Sequence, residues 1–301
     1  MGKILCIGHA AYDITLLVNC FPVENTKTRI GDAISCGGGA AANAASVLAK
    51  WGMETYFAGM IGKDYYGDKV KKELQSEKIN LDYFEQSDHF KTTISYIIAN
   101  IQNGSRTIII SRTKQEESNI KTIDIKPEGI ILDGEELALS KQALLNNLQA
   151  ISVLDAGNLK PNIVELGKMV TYLICSLDFA EEYCHKKIDI TNRSSIISCY
   201  DILVNDFNTN IIITLGSLGS FTKFNDYELI PSIKVKAIDS TGAGDIYHGA
   251  FLYFILNGYK LRDSMRLANI AGAISTEKVG GKYSIPTLEE VFEREQQDAI
   301  I

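Results

Sequence analysis

Short apolar runs alternate with amphipathic stretches along the chain. Residues 3–8 are apolar and predict a strand. Residues 40–51 carry apolar side chains at helical spacing and are followed by Gly52, which suits the left-handed position just past a helix. Residues 55–60 predict a strand and 67–76 a helix. Apolar runs at 129–133, 151–155, 172–176, 201–205 and 211–215 predict short buried strands, with helical patterns around 139–148, 162–168 and 179–185. Strand–helix alternation of this kind builds a parallel sheet with helices on both faces. Residues 14–34 and 91–112 break the rhythm because neither has a helical period. In the second, β-rich runs at 92–101 and 106–111 flank Gln102-Asn103-Gly104-Ser105, and Asn-Gly is a hairpin signal. These two stretches predict a small accessory sheet beside the α/β core: a lid, a dimer surface or a plain edge.

With 301 residues, five prolines and neither repeat nor linker, the chain reads as one domain over residues 1–301. Apolar residues make up 46% and charged residues 22%, enough for a full core. The net charge of −7 argues against a nucleic-acid partner, which needs a basic footprint. No run reaches the roughly 18 apolar residues of a membrane span, and the first residues read as a strand rather than a secretory signal. The expectation is a cytoplasmic protein without a membrane partner. Its six cysteines, scattered and without CxxC, are expected to be reduced and buried.

Candidate chemistry concentrates in residues 238–252. Thr241, Gly242, Ala243 and Gly244 form a small-residue turn that opens into an apolar helix, 245–256, with Asp245 in its first turn. Unpaired N–H groups there make an anion pocket, and the helix dipole adds to it. A carboxylate beside that pocket can take a proton from an attacking hydroxyl; an acidic residue also caps helices with no further role. A second stretch, Cys36 to Ala45, matches GxGxxA at Gly37, Gly39 and Ala42. It comes too late after the first strand for a dinucleotide turn, and no acid closes the next strand. Asn43, among glycines and alanines, either meets a small polar ligand or sits in a close-packed helix. A third stretch, 211–220, runs a buried strand into a Gly/Ser turn able to meet a phosphate or ribose, or to be an ordinary turn. No Walker A sequence or protein-kinase motif set is present.

In this order the motifs resemble the ribokinase/PfkB family of carbohydrate and nucleoside kinases. They run from Asp13 through Gly38-Gly39-x-x-x-Asn43 and Gly59-x-x-Gly62-x-Asp64-x-x-Gly67. Thr214-x-Gly216-Ser217-x-Gly219 and Asp239-x-Thr241-Gly242-Ala243-Gly244-Asp245 follow, then Asn269 and Gly280-x-x-x-Ser284-Ile285-Pro286. The resemblance covers nearly the whole chain. It implies a Rossmann-like three-layer αβα sandwich with a β lid, and transfer of the γ-phosphoryl of ATP to a hydroxyl of a small sugar. By the same likeness Asp245 is the general base, and Gly242, Ala243 and Gly244 form the anion hole. Asp13, Gly38, Gly39 and Asn43 match sugar contacts. Thr214, Gly216, Ser217 and Gly219 match the nucleotide loop, with Asn269 on the adenine side. Asp239, Thr241, Ser275, Gly280 and Ser284 match a loop for a monovalent cation, usually K⁺. A lid-paired homodimer is implied as well.

The sequence departs from the family pattern in two places. An Asn-x-x-Glu motif near Mg²⁺ becomes Asp178-x-x-Glu181, leaving Glu181 as either the Mg²⁺ residue or a solvated charge. Ala41 stands where ribokinases have glycine. His248, three residues past Asp245, is expected to face the same groove and touch substrate. Glu135 falls near a family sugar contact, and Arg106, Arg112 or Lys27 could pair with an acidic sugar. The alternatives are a nucleoside kinase whose base stacks on Phe21, Phe90 or Tyr96, and a non-catalytic sugar- or nucleotide-binding regulator. Intact Gly242–Asp245 counts against the regulator, and the late position of Gly37 and Ala42 counts against a dinucleotide oxidoreductase.

Overall fold

A computed structural model describes residues 2–113, 118–120 and 122–298. The chain opens with β1 (Lys3–Ile7), β2 (Ala11–Val18) and β3 (Ile34–Gly38), followed by α1 (Ala40–Lys50) and β4 (Glu54–Gly62). Next come α2 (Tyr65–Ser76), β5 (Asn80–Ser87) and the hairpin β6 (Ile94–Asn100) and β7 (Arg106–Ser111). Strand–helix units follow: β8 (Gly129–Leu132), α3 (Leu137–Asn146), β9 (Ile151–Ala156), α4 (Pro161–Gly167), β10 (Tyr172–Ser176), α5 (Leu177–Cys184), α6 (Arg193–Phe207) and β11 (Asn210–Thr214). The meander β12 (Gly219–Lys223) and β13 (Tyr227–Pro231) precedes α7 (Ala243–Leu256), α8 (Leu261–Ser275) and α9 (Leu288–Asp298).

Among the described residues the main sheet has the order β13-β12-β11-β10-β9-β8-β1-β4-β5. It is parallel from β5 across to β11, and only the β11–β12 and β12–β13 pairings are antiparallel. Side chains alternate across a strand, and this splits the core in two. Ile4, Cys6, Phe57, Ile131 and Ile174 pack with α1, α7 and α8 on one face. Leu5, Ile7, Leu132, Leu154 and Leu173 pack with the helices α3 to α6 on the other. That is the three-layer αβα sandwich.

A second sheet, β3-β2-β6-β7, stands apart from the first. Its Asn103-Gly104 turn bends back on itself, with the Gly104 N–H on Asn100 O at 2.8 Å. The turn docks on the loop before α7: the Ser240 N–H reaches Gly104 O at 3.2 Å, and Arg106 donates to Ser240 Oγ at 2.7 Å. Asp64, the cap of α2, also accepts from the Thr92 N–H at 2.8 Å and the Thr92 hydroxyl at 2.8 Å, fixing where the chain enters the hairpin.

Two expectations are corrected. Residues 201–205 are not a strand but the last turns of α6. Ile196, Cys199, Tyr200, Leu203 and Phe207 are its buried positions, a helical spacing that the apolar run 202–204 masks. The cysteines are not all reduced and buried either. Cys184 and Cys199 form a disulfide, with Cα atoms 5.9 Å apart where α5 packs on α6, and Cys20 is exposed. A separation of 15 residues carries no pairing signal; tertiary packing makes the bond.

Candidate active site

The carboxyl ends of β1, β8, β9, β10 and β11 lie in order along one edge of the sheet, the end at which parallel α/β sheets bind ligands. Between this edge and the second sheet lies a cleft of about 340 Å³. Asp13, Gly39, Asn43, Thr241, Gly242 and Asp245 all line it.

Its floor is the turn before α7. Asp239, fully buried, accepts from the Thr241 N–H (2.9 Å) and hydroxyl (2.6 Å) on one oxygen and from the Gly280 N–H (2.9 Å) on the other. This lashes the 280–284 loop to the turn. Gly242 caps α7 at φ 75°, and a Cβ there would lie 3.1 Å from Gly281 Cα. A left-handed backbone pressed on another backbone suits glycine alone. The turn leaves the first N–H groups of α7 free of helix partners.

Asp245 follows in the first turn of α7, and Asn43 Nδ2 donates to its Oδ2 at 2.7 Å. Burial, then the Asp155 carboxylate, push the Asp245 carboxyl well above the ordinary range; Asn43, His248 and Arg106 pull it back. If Asp245 accepts a proton it works only when ionised. Activity should therefore fall, as pH drops, well before the roughly pH 4 of an ordinary carboxylate, which a kcat/KM profile will show. Asn43 Oδ1 is buried without a partner, an acceptor facing no donor of the chain.

Asp13 sits on β2 of the lid sheet, opposite Cys36 of β3 and Ser95 of β6. Burial raises its carboxyl to about 6, against the Ser95 hydroxyl and Lys282 and helped by Asp239. The folded chain thus holds this proton more tightly than the unfolded chain. Ionising Asp13 costs on the order of 3 kcal/mol above the folded value, and the cost disappears as pH falls toward about 4. Asp13→Asn should therefore raise Tm near neutral pH, with the gain shrinking in acid, by scanning calorimetry.

Glu135 lines the cleft, with its carboxylate divided between Arg112 of the lid (2.8 Å) and Lys160 at the start of α4 (3.0 Å). Burial alone would raise it, but Arg112 and Lys160 hold it at about 2. Several cleft residues escaped the sequence reading, His9, Asp133 and Asp155 among them. His9 has a buried Nδ1 without a partner, and burial followed by Arg112 pushes its ring down to about 4. Asp133 accepts from the N–H groups of His9 (2.7 Å), Ala41 (3.2 Å) and Glu135 (3.1 Å), so it pins three segments together. Asp155 ends β9. The available signal was an acid at the carboxyl end of a buried strand, at 133 and again at 155.

Other expected site residues lie elsewhere. His248 is buried and does not line the cleft. Three residues past Asp245 on a helix, it turns toward the sheet, with Nδ1 2.6 Å from Gly244 O. Asn269 spends its amide on Ile230 O (3.0 Å), tying α8 to β13. Glu181 accepts from the Ile188 N–H (2.9 Å) and pairs with Lys187, closing the end of α5 in a separate groove. Its carboxylate thus lies outside the cleft that holds Asp245. Among the described residues no three His, Cys, Asp or Glu side chains converge as a metal set. Ser275 and Ser284 donate to Gly272 O and Gly281 O at 2.7 Å each. With Asp239 also satisfied, the side chains of the expected K⁺ loop are all engaged. Thr214, Gly216, Ser217 and Gly219 lie beyond the cleft at the end of β11, beside the end of β10. Phe21, Phe90 and Tyr96 do not line the cleft.

Fold and cleft define a class, a lidded α/β kinase for small hydroxylated substrates. The model of the pfkB family carbohydrate kinases matches residues 1–288, and the chain belongs to that family. A nucleoside kinase of Methanocaldococcus jannaschii is 28% identical over 100% of this chain and 99% of its own. A ribokinase of Lactococcus lactis is 29% identical over 97% and 96%. A putative ribokinase from Agrobacterium tumefaciens superposes with a TM-score of 0.85 at 22% identity, covering 100% of this chain and 99% of the other. The chain is an ATP-dependent sugar or nucleoside kinase. Among the described residues no helix is long and apolar enough to cross a membrane.

Proposed function

We propose that this kinase moves the γ-phosphoryl of ATP to a hydroxyl of a small ketose- or ribose-type sugar, with Asp245 as the general base. The observation that carries this is the Asn43–Asp245 hydrogen bond at the head of α7, inside a lidded cleft. Asp245 takes the proton of the attacking hydroxyl, whose oxygen bonds phosphorus as the bond to ADP breaks. N–H groups of Gly242, Ala243 and Gly244 stabilise the transferred phosphoryl, the positioning and charge control that this reaction needs. Asp13, Gly38, Gly39 and Asn43 orient the sugar. Thr214, Gly216, Ser217 and Gly219 take the nucleotide. Mg²⁺ enters as the ATP complex, and no step is assigned to K⁺. Mass spectrometry of the product tests this: one added phosphate on the sugar supports it, and free phosphate alone refutes it.

A ribonucleoside is the second reading. Ile97, Ile108, Ile110 and Ile163 line the cleft and offer an apolar wall that a free sugar leaves uncovered.

The same reading includes a homodimer through the lid. β7 is an edge strand exposed along its length, and Ile109, 57% exposed, points away from the cleft between Ile108 and Ile110. Ile109→Lys should convert dimer to monomer by light scattering; a wild-type monomer would refute the dimer.

A further inference from the structure

His248 and Asp155 form a buried pair that the mechanism above does not use. His248 Nδ1 lies 2.6 Å from Gly244 O and 3.4 Å from Asp155 Oδ2, and the two side chains are 5% and 13% exposed. Carbonyl and carboxylate oxygens only accept, so these partners assign a proton to Nδ1. Nε2 lies 3.3 Å from Ile174 O, on β10. One imidazole thus joins the first turn of α7 to two neighbouring strands, β9 and β10. Gly244 is the last residue of the anion-hole turn, and its carbonyl belongs to the peptide whose N–H is that of Asp245. Asp155 lines the same cleft as Asp245.

We propose that Asp155 and His248 are a positioning pair for phosphoryl transfer: His248 clamps the Gly244–Asp245 peptide onto the sheet, and Asp155 sets a second negative charge facing the base. This rests on Asp245 being the base. The groups facing Asp245 are Asp155 from β9, His248 from α7 itself and Arg106 from β7, with the uncharged Asn43 from α1. Asp155 raises the proton affinity of Asp245, and His248 and Arg106 oppose it. The pair therefore sets both where the base sits and the pH at which it ionises. A histidine that merely filled space would do neither.

Three variants test it by pH–rate profiles and thermal melting, on the best sugar or nucleoside found. Asp155→Asn keeps shape and removes charge. It should move the acid limb of kcat/KM down by roughly half a unit to one unit. His248→Leu should lower kcat about 10- to 100-fold with the sugar KM nearly unchanged, the signature of a displaced reacting group. His248→Asn, which puts an amide N–H near Nδ1, should recover most of that loss. If the leucine variant does not fold, Asp155→Asn decides: an unmoved acid limb in that variant overturns the proposal. A folded His248→Leu with wild-type kcat also overturns it, as does a change in Tm alone. The base assignment fails separately, if Asp245→Asn turns over like the wild type or loses binding and turnover together.

Discussion

Asp245→Asn is expected to bind ATP and sugar with nearly unchanged affinity and to turn over about 10²- to 10⁴-fold more slowly, the range that a positioned general base contributes. The substitution keeps the size of the side chain and an oxygen for the 2.7 Å contact from Asn43. Asn43 can also turn its amide, because its own Oδ1 is buried without a partner. The N–H groups at the head of α7 stay in place, so the anion hole survives. Only proton acceptance is lost. Stability should hold or rise, because a buried carboxyl raised by burial and by Asp155 costs folding energy at neutral pH. Calorimetric binding beside single-turnover kinetics separates the two effects. Loss of both together would mean that Asp245 holds the site's shape, not its proton.

Gly39→Ala is expected to remove activity by a different route. Gly39 caps α1 at φ 99° and ψ 138°, a conformation that side chains rarely take. A Cβ there would lie 2.5 Å from His9 O and 2.8 Å from Ala10 Cα. Both are backbone atoms of the β1–β2 connection, so no rotamer change relieves the clash. The corner between β3 and α1 must move instead, and Asn43, whose N–H bonds Gly39 O at 2.8 Å, moves with it. A displacement near an ångström at the base costs about 10²-fold in rate, so kcat/KM should fall at least that far, with a lowered Tm. Gly52→Ala is the control. Gly52 has φ 87° but open space around its Cβ direction, so Gly52→Ala should lose about 1–2 kcal/mol of stability, the cost of a left-handed L-residue, with its kinetics intact.

The layers of the fold were legible because buried parallel strands are short apolar runs and amphipathic helices have a clear period. β5 and β13 were not, since their half-exposed runs resemble loops, and β12, although mostly buried, starts inside a Gly/Ser turn that hides it. α6 misled because three apolar residues in a row look like a strand until the wider spacing is counted. At the site, Gly242 to Asp245 and Asn43 could be read because small residues opening a helix are rare and specific. The structure joins these two distant stretches with one hydrogen bond. His9, Asp133 and Asp155 were hidden: each stands alone in sequence, and only the alignment of strand ends gathers them. His248 was misplaced by judging its spacing from Asp245 without its direction.

The central claim is sugar-dependent phosphoryl transfer, and ADP release from ATP and Mg²⁺ measures it directly. The panel would hold ribose, fructose, fructose phosphates, sulfofructose, 2-keto-3-deoxygluconate, adenosine and pseudouridine, each with and without K⁺. The expected result is ADP formed only in the presence of one sugar-bearing compound and abolished in Asp245→Asn. ADP formed equally without any acceptor, or equally by Asp245→Asn, would contradict the account.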